Sequence, residues 1–276
     1  MSNTQRDKAL LFKKLHEEEG LFIIPNPWDA GSAKMLAGLG FKAMATTSAG
    51  LAFSLGKADG INAVSREETL HNARIIAAAT HLPVAADLEN GFGHTPETCA
   101  ETILLAAGVG LVGGSIEDTT GNPGDPILPF QLSIERVKAA VAAVRSLPFP
   151  FILSARAENL IYGKLDLPDT IKRLQAYAEA GADVLFAPGL KTMEEVRAVI
   201  SAVAPKPINV LVGSGGAAFT LEELEKAGVK RVSVGSSLAR VAYGSFLKAS
   251  ADLLKNGNVN FAEGSITYSE INNMFQ

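Results

Sequence analysis

The chain has 276 residues, 47% of them hydrophobic and 20% charged, and a formal net charge of −4. This suits one large α/β barrel; the composition is too apolar for a disordered chain and carries no general positive field for nucleic acid or an anionic membrane. Cys99 is the sole cysteine, which excludes an internal disulfide and fits a reducing cytoplasm.

Residues 1–20, MSNTQRDKALLFKKLHEEEG, read as a charged amphipathic helix. They lack the apolar stretch of a signal peptide, and no later apolar run reaches the roughly 18 residues of a membrane span, so a cytoplasmic protein is expected. Strands are then predicted at 21–26, 43–48, 84–89, 110–117, 151–156, 182–187, 208–213 and 231–235, with helices at 29–38, 65–79, 96–107, 133–146, 169–180, 192–202 and 220–227. Ser65 with Glu68, and Thr220 with Glu223, have the spacing of a capping box. Four segments repeat one pattern, a helix ending in Gly followed by an apolar strand: 36–50, 105–118, 178–189 and 225–237. Glycine just past a helix takes the left-handed conformation at no steric cost. Apolar strands alternating with amphipathic helices imply parallel strands buried on both faces. Eight such units predict an α/β fold of the closed (β/α)8 TIM type, barrel at about 20–245, with a helical C-terminal extension at about 246–276 in a single domain.

In such a barrel the site forms at the C-terminal strand ends. Those ends carry Asn26-Pro27-Trp28-Asp29, Thr46-Thr47-Ser48, Asp87 with Glu89, Glu117-Asp118, Arg156 with Glu158-Asn159, and the glycine-rich GSGG at 213–216. Acids outnumber bases. Clustered carboxylates suit a hard cation, Mg²⁺ above all, since it takes one or two carboxylates and keeps several waters. Asp87 and Glu89, two residues apart, are expected to share one strand face and to need that cation between them. His16, His71 and His81 are read as solvated helix residues, and His94 follows the Gly91–Gly93 turn. Cys99 reads as helix packing. GSGG and VGSS (234–237) resemble phosphate-cradling loops. No lysine ends a strand, which argues against a Schiff-base aldolase.

The stretches NPWDAGSAKMLAGLGFKAMATTSAG, SLGKADG, ADLENGFG, SIED, SARAEN and INVLV, in this order and spacing, resemble the isocitrate lyase/phosphoenolpyruvate mutase superfamily. The resemblance implies a barrel, a Mg²⁺ ion and chemistry through an enolate of pyruvate or a related 2-oxo acid. By position it implies metal binding by Asp87, Glu89 and Glu117, and substrate-carboxylate binding by Arg156 and by Thr47, Ser48 and Ala49, partly through backbone N–H groups. It also implies a pocket role for Asn209 and a catalytic-loop role for Asp59, with Asp59 and Arg156 the catalytic pair. The chain departs from the lyases in its loop TTGNPGDPILPF (119–130), which has no Lys, Cys or His where they carry a Lys-Lys-Cys-Gly-His lid, and in Ala187-Pro188, where they carry a glutamate.

The leading expectation is thus a Mg²⁺-dependent lyase or phosphonomutase-like enzyme acting at C3 of a small 2-oxo or 2-hydroxy carboxylate. Two alternatives stay open: a phosphate-binding isomerase or synthase using the GSGG and VGSS loops, and a non-catalytic carboxylate-binding barrel. SITYSEINNMF (265–275) places Ile266, Ile271 and Met274 on one helical face. With the resemblance, this implies a homodimer or homotetramer with exchanged C-terminal helices.

Overall fold

The computed structural model describes residues 4–213 and 219–276. Its strands are β1 Phe22–Ile24, β2 Met44–Ala45, β3 Val84–Asp87, β4 Gly113–Glu117, β5 Ile152–Arg156, β6 Val184–Phe186, β7 Ile208–Leu211 and β8 Arg231–Ser233. The helices are α1 Gln5–Glu17, α2 Ala30–Gly38, α3 Ser48–Ser54, α4 Arg66–Ala79, α5 Pro96–Gly108, α6 Phe130–Arg145, α7 Leu167–Ala180, α8 Met193–Val203, α9 Leu221–Ala227, α10 Ser237–Asn256 and α11 Tyr268–Asn273. All strand pairs are parallel, in the order β1-β8-β7-β6-β5-β4-β3-β2. At the remaining seam the Ala45 N–H donates to the Pro25 carbonyl at 3.1 Å. Asn26 stitches the same place: its Nδ2 donates to the Ala45 and Thr46 carbonyls at 3.0 and 3.1 Å, and its Oδ1 accepts from the Val234 and Gly235 N–H groups at 2.9 Å each. One amide offers the donors and acceptor that the two shortened strands cannot. The fold is the expected (β/α)8 TIM barrel.

Strand residues alternate between two apolar layers, as a two-residue period requires. Val84, Ala86, Leu153 and Val232 pack outward against the helices. Phe22, Ile24, Ala85, Ile152 and Val184 point into the barrel, where Phe12 and Leu15 of α1 join them. The N-terminal helix is therefore a plug in the bottom of the barrel, and burying a side chain such as Phe12 stabilises it by roughly 1.5–3 kcal/mol. The expected capping boxes form at Ser65/Glu68 and Thr220/Glu223.

Several expectations need correction. The strand predicted at 43–48 stops at Ala45; Thr47 instead caps α3, its hydroxyl accepting from the Gly50 N–H at 3.2 Å. A helix of only two turns is too short to leave a clear periodic signal. α6 begins at Phe130, directly after Pro129, rather than at 133. His16 is not solvated: it is partly buried, edge-on to the rings of Phe12 and Phe22 at centroid distances of 4.7 and 5.0 Å. α10 runs unbroken across residues 245–246 and buries only Ala239, leaving Val241, Phe246, Leu247 and Leu254 exposed. Among the described residues no helix is long and apolar enough to cross a membrane.

Candidate active site

Asp87 ends β3, and there the backbone leaves strand geometry. Glu89 has φ +46°, with Gly91 at +76° and Phe92 at +61° following. A left-handed glutamate is uncommon, and such outliers persist where the surroundings hold them. Here the Glu89 N–H donates to Asp87 Oδ1 at 3.2 Å and its carbonyl accepts from the Glu117 N–H at 3.0 Å. Glu89 does join the acids at the mouth, but through this turn. The expectation that the pleat would carry it there is corrected, because β3 has already ended at Asp87.

The positive charge among these acids is Arg156. Its Nη1 lies 3.0 Å from Asp87 Oδ1, its Nη2 3.2 Å from Glu117 Oε2 and its Nε 2.7 Å from Glu158 Oε1, while the guanidinium stands 5.0 Å from the centre of the Phe186 ring. Each edge of the planar fork meets a separate carboxylate. Glu158, 1% exposed, looks in the sequence like a plain strand-end acid; the Arg-x-Glu spacing is the local signal for its pairing. Asp118 has a different task. It is buried, and it accepts from the Glu158 N–H at 2.9 Å, Arg173 Nη1 at 3.0 Å and the Tyr177 hydroxyl at 2.7 Å, tying the ends of β4 and β5 to α7.

Negative charge remains in excess. Burial, then the Asp87, Glu117 and Asp59 charges, raise the Glu89 pKa from 4.5 to about 8. Burial also pushes Glu117 and Glu158 upward against the pull of Arg156. Asp59 sits in the loop after α3, open to solvent on one side; crowding of its carboxyl by protein and then the charge of Asp87 raise its pKa. Tyr162 flanks the same loop, and burial followed by the Glu117, Glu158 and Asp59 charges raise its pKa, so it is a neutral phenol at physiological pH. Sequence reasoning had not singled it out.

The remaining expected residues take these places. Thr47 is buried and lines the cavity beneath the mouth. The Ser48 N–H, expected to face a substrate carboxylate, donates to Asp87 Oδ2 at 3.3 Å. Ala49 is partly buried in the first turn of α3. Asn209 is buried in β7, donating from Nδ2 to Ser233 Oγ at 2.8 Å and accepting from Arg231 Nε at 2.9 Å. Of GSGG, only Gly213 lies within the described residues, and its carbonyl accepts from Ser237 Oγ and Arg240 Nη2 at 2.9 and 3.1 Å. VGSS already gives two N–H groups to Asn26. The loop 119–129 is folded on itself through a Thr119–Ile127 bridge. His94 is exposed and Cys99 buried.

A hard divalent cation fits the donor set by its chemistry, since every candidate ligand is a carboxylate oxygen and the surplus charge is negative. Among the described residues, no three His, Cys, Asp or Glu side chains already converge as ligands; Asp87 and Glu117 direct oxygens at Arg156 instead.

Fold and mouth together define a TIM-barrel protein with an acid-rich, arginine-centred site at the strand ends. The sequence matches the phosphoenolpyruvate phosphomutase family over residues 12–254. A lyase/mutase-type protein of Burkholderia cenocepacia J2315 superposes with a TM-score of 0.95 at 52% identity, over 98% of this chain and 96% of that one. Oxaloacetate acetylhydrolase in complex with oxalate superposes with a TM-score of 0.89 at 26% identity, over 99% and 95% of the two chains. The 2-methylisocitrate lyase of Escherichia coli (strain K12) is 31% identical over 227 residues, 79% of this chain and 75% of that protein. The chain belongs to the phosphoenolpyruvate mutase/isocitrate lyase superfamily.

Proposed function

We propose that the protein is a Mg²⁺-dependent lyase or phosphonomutase-like enzyme that makes or breaks a C–C or P–C bond at C3 of a small 2-oxo or 2-hydroxy carboxylate. The observation that carries this reading is the cluster of Asp87, Glu89 and Glu117 around Arg156 at one cavity mouth, with more negative charge than one guanidinium neutralises. Asp87, Glu89 and Glu117 would hold the cation, which when bound supplies Lewis-acid stabilisation of the charge that develops on the substrate carbonyl oxygen. Arg156 orients the substrate carboxylate through its planar fork, and Phe186 beneath it limits the guanidinium's movement. The α3 start, Thr47 to Ala49, forms the adjoining wall, and the Asp59 loop, glycine-flanked in SLGKADG, covers the mouth. The 119–130 loop offers no lysine, cysteine or histidine, so any proton donor lies elsewhere; Tyr162 is a phenol beside the Asp59 loop.

Enolisation is the step shared by these reactions, so the test is exchange of the pyruvate methyl protons in D₂O. Exchange that depends on Mg²⁺ is expected; no exchange together with no Mg²⁺-dependent oxalate binding would overturn the reading. Phosphate-dependent binding would favour the phosphate-loop alternative, against which stands the use of the VGSS amides by Asn26.

A cytoplasmic homodimer or homotetramer with exchanged C-terminal helices completes the proposal. α10 exposes Phe246, Leu247 and Leu254. α11 is too short to hold Ile266, Ile271 and Met274 on one helical face, because Ile266 precedes its cap. Ile266, Tyr268 and Met274 are nonetheless exposed in and beside it, so both segments have apolar surface for a second copy. Sedimentation at micromolar concentration should give a dimer or larger; a monomer would refute the assembly.

A further inference from the structure

A second arginine lies inside the barrel, and nothing proposed so far uses it. Arg231 enters from β8 in register with Phe22 on one side and Asn209 on the other, and is 6% exposed. Its Nε donates to Asn209 Oδ1 at 2.9 Å, its Nη2 to Ser154 Oγ at 2.8 Å, and its Nη1 lies 3.4 Å from His16 Nε2. All three partners are neutral. His16 Nδ1 stands 2.8 Å from the Phe12 carbonyl oxygen, which places the ring proton on Nδ1 and leaves Nε2 as an acceptor. Burial and then the Arg231 charge hold that imidazole uncharged, with its pKa near 3.

The ion pairs among the described residues do not include Arg231. The residues outside the description, 1–3 and 214–218, contain no Asp or Glu. Burial lowers the guanidinium pKa to about 9, which still leaves it charged at neutral pH. An enclosed charge without a counter-ion is costly, and native interiors pair such groups.

The space beside it is suited to an anion. A cavity of about 90 Å³ is lined by Asp87 and Arg156 at the mouth and by Ser154, Asn209, Arg231 and Ser233 deeper in, with room for a carboxylate-sized group. Ser154 lies two residues below Arg156 on the same strand face, about 7 Å deeper along the barrel. We infer that this inner end is an anion subsite, with Arg231 as its cation and the Ser154 and Ser233 hydroxyls as further donors, sized for one carboxylate. The occupant is either a free small anion that neutralises Arg231 or the second carboxylate of a dicarboxylate whose first end is held at the mouth. The latter source rests on the proposed function; the subsite itself does not.

The test uses the whole protein with EDTA, so that no divalent cation contributes. Melting is compared in sodium formate and in sodium gluconate, too bulky for the cavity, at equal ionic strength. Wild type should melt several degrees higher in formate, Arg156→Lys should keep that difference, and Arg231→Met should lose it. Should Arg231→Met fail to fold, Arg231→Lys and line broadening of ¹³C-formate by wild type give the same reading. Equal melting in both salts with no broadening overturns the subsite. With Mg²⁺ present, calorimetry separates the sources. A dicarboxylate occupant predicts tenfold or greater weakening of succinate by Arg231→Lys with oxalate unchanged; a free anion predicts loss of the formate response with both unchanged. A formate response without Mg²⁺-dependent oxalate binding would sink the proposed enzyme function alone.

Discussion

Two arginines inside one barrel stand in opposite surroundings. Arg156, at the mouth, touches three carboxylates and has more acids nearby than it can neutralise. Arg231, on the next layer inward, touches an amide, a hydroxyl and a neutral imidazole. The guanidinium of Arg156 is held well above its ordinary pKa by Glu158, Asp87 and Glu117 although burial opposes them, whereas burial alone lowers that of Arg231 to about 9. The mouth is thus short of positive charge and the interior short of negative charge. A cation suits the first and an anion the second, for the same electrostatic reason.

The comparison can be broken most severely at Asp87. Asp87→Ala should abolish both turnover and any Mg²⁺-dependent rise in melting temperature. If Asp87 were only a loop cap, its loss would cost about 1 kcal/mol and leave the Mg²⁺ response intact. Next in size is the contrast in stability between the arginines. Arg156→Met leaves buried carboxylates unpaired and should destabilise the cation-free protein by about 3–5 kcal/mol. Arg231→Met removes an uncompensated charge along with its neutral hydrogen bonds, two opposing effects that should leave stability within about 1 kcal/mol of wild type in anion-free buffer. Equal losses in denaturant titrations would erase the distinction.

The pH dependence should sharpen it. Unfolded, Glu89 loses its proton near 4.5, but in the fold only near 8. Between these values the native state binds more protons, so this group makes stability fall as pH rises. Glu89→Gln should flatten that slope, read most cleanly above pH 6.5. His16 works in the other direction: the unfolded ring takes a proton below 6.5 and the native one only near 3, so stability falls as pH drops through that window. His16→Phe should flatten the acid limb, read most cleanly below pH 4.5. A smaller loss of binding is expected from Arg156→Lys, which keeps the charge but loses the fork; oxalate affinity should fall about tenfold, or 1.4 kcal/mol. Unchanged affinity by calorimetry would place the carboxylate site elsewhere.

Much of this was legible in the chain. The Gly-ended helices and apolar strands marked the barrel, and the strand-end position of Asp87, Glu117 and Arg156 marked the mouth, because both depend on spacing along one segment. What escaped depended on partners distant in sequence. His16 looks like a solvated helix residue until Phe22 packs on it. Asn26 reads as a strand end, and its role as a stitch requires Ala45 and Gly235 beside it. Glu158 was visible as an acid, though not as the third carboxylate on Arg156.

The sequence by itself determined the repeating units, their caps and the residue types at each strand end, since these rest on local periodicity and backbone preference. Only the tertiary structure decided which charges meet. It left strand geometry after Asp87, so that Glu89 reaches the mouth through a left-handed turn, and it closed β8 against β1, so that Arg231 comes to face Ser154 and His16 across the barrel. Charge balance in a buried site is set by neighbours through space, and those neighbours lie 77 and 215 residues away along the chain.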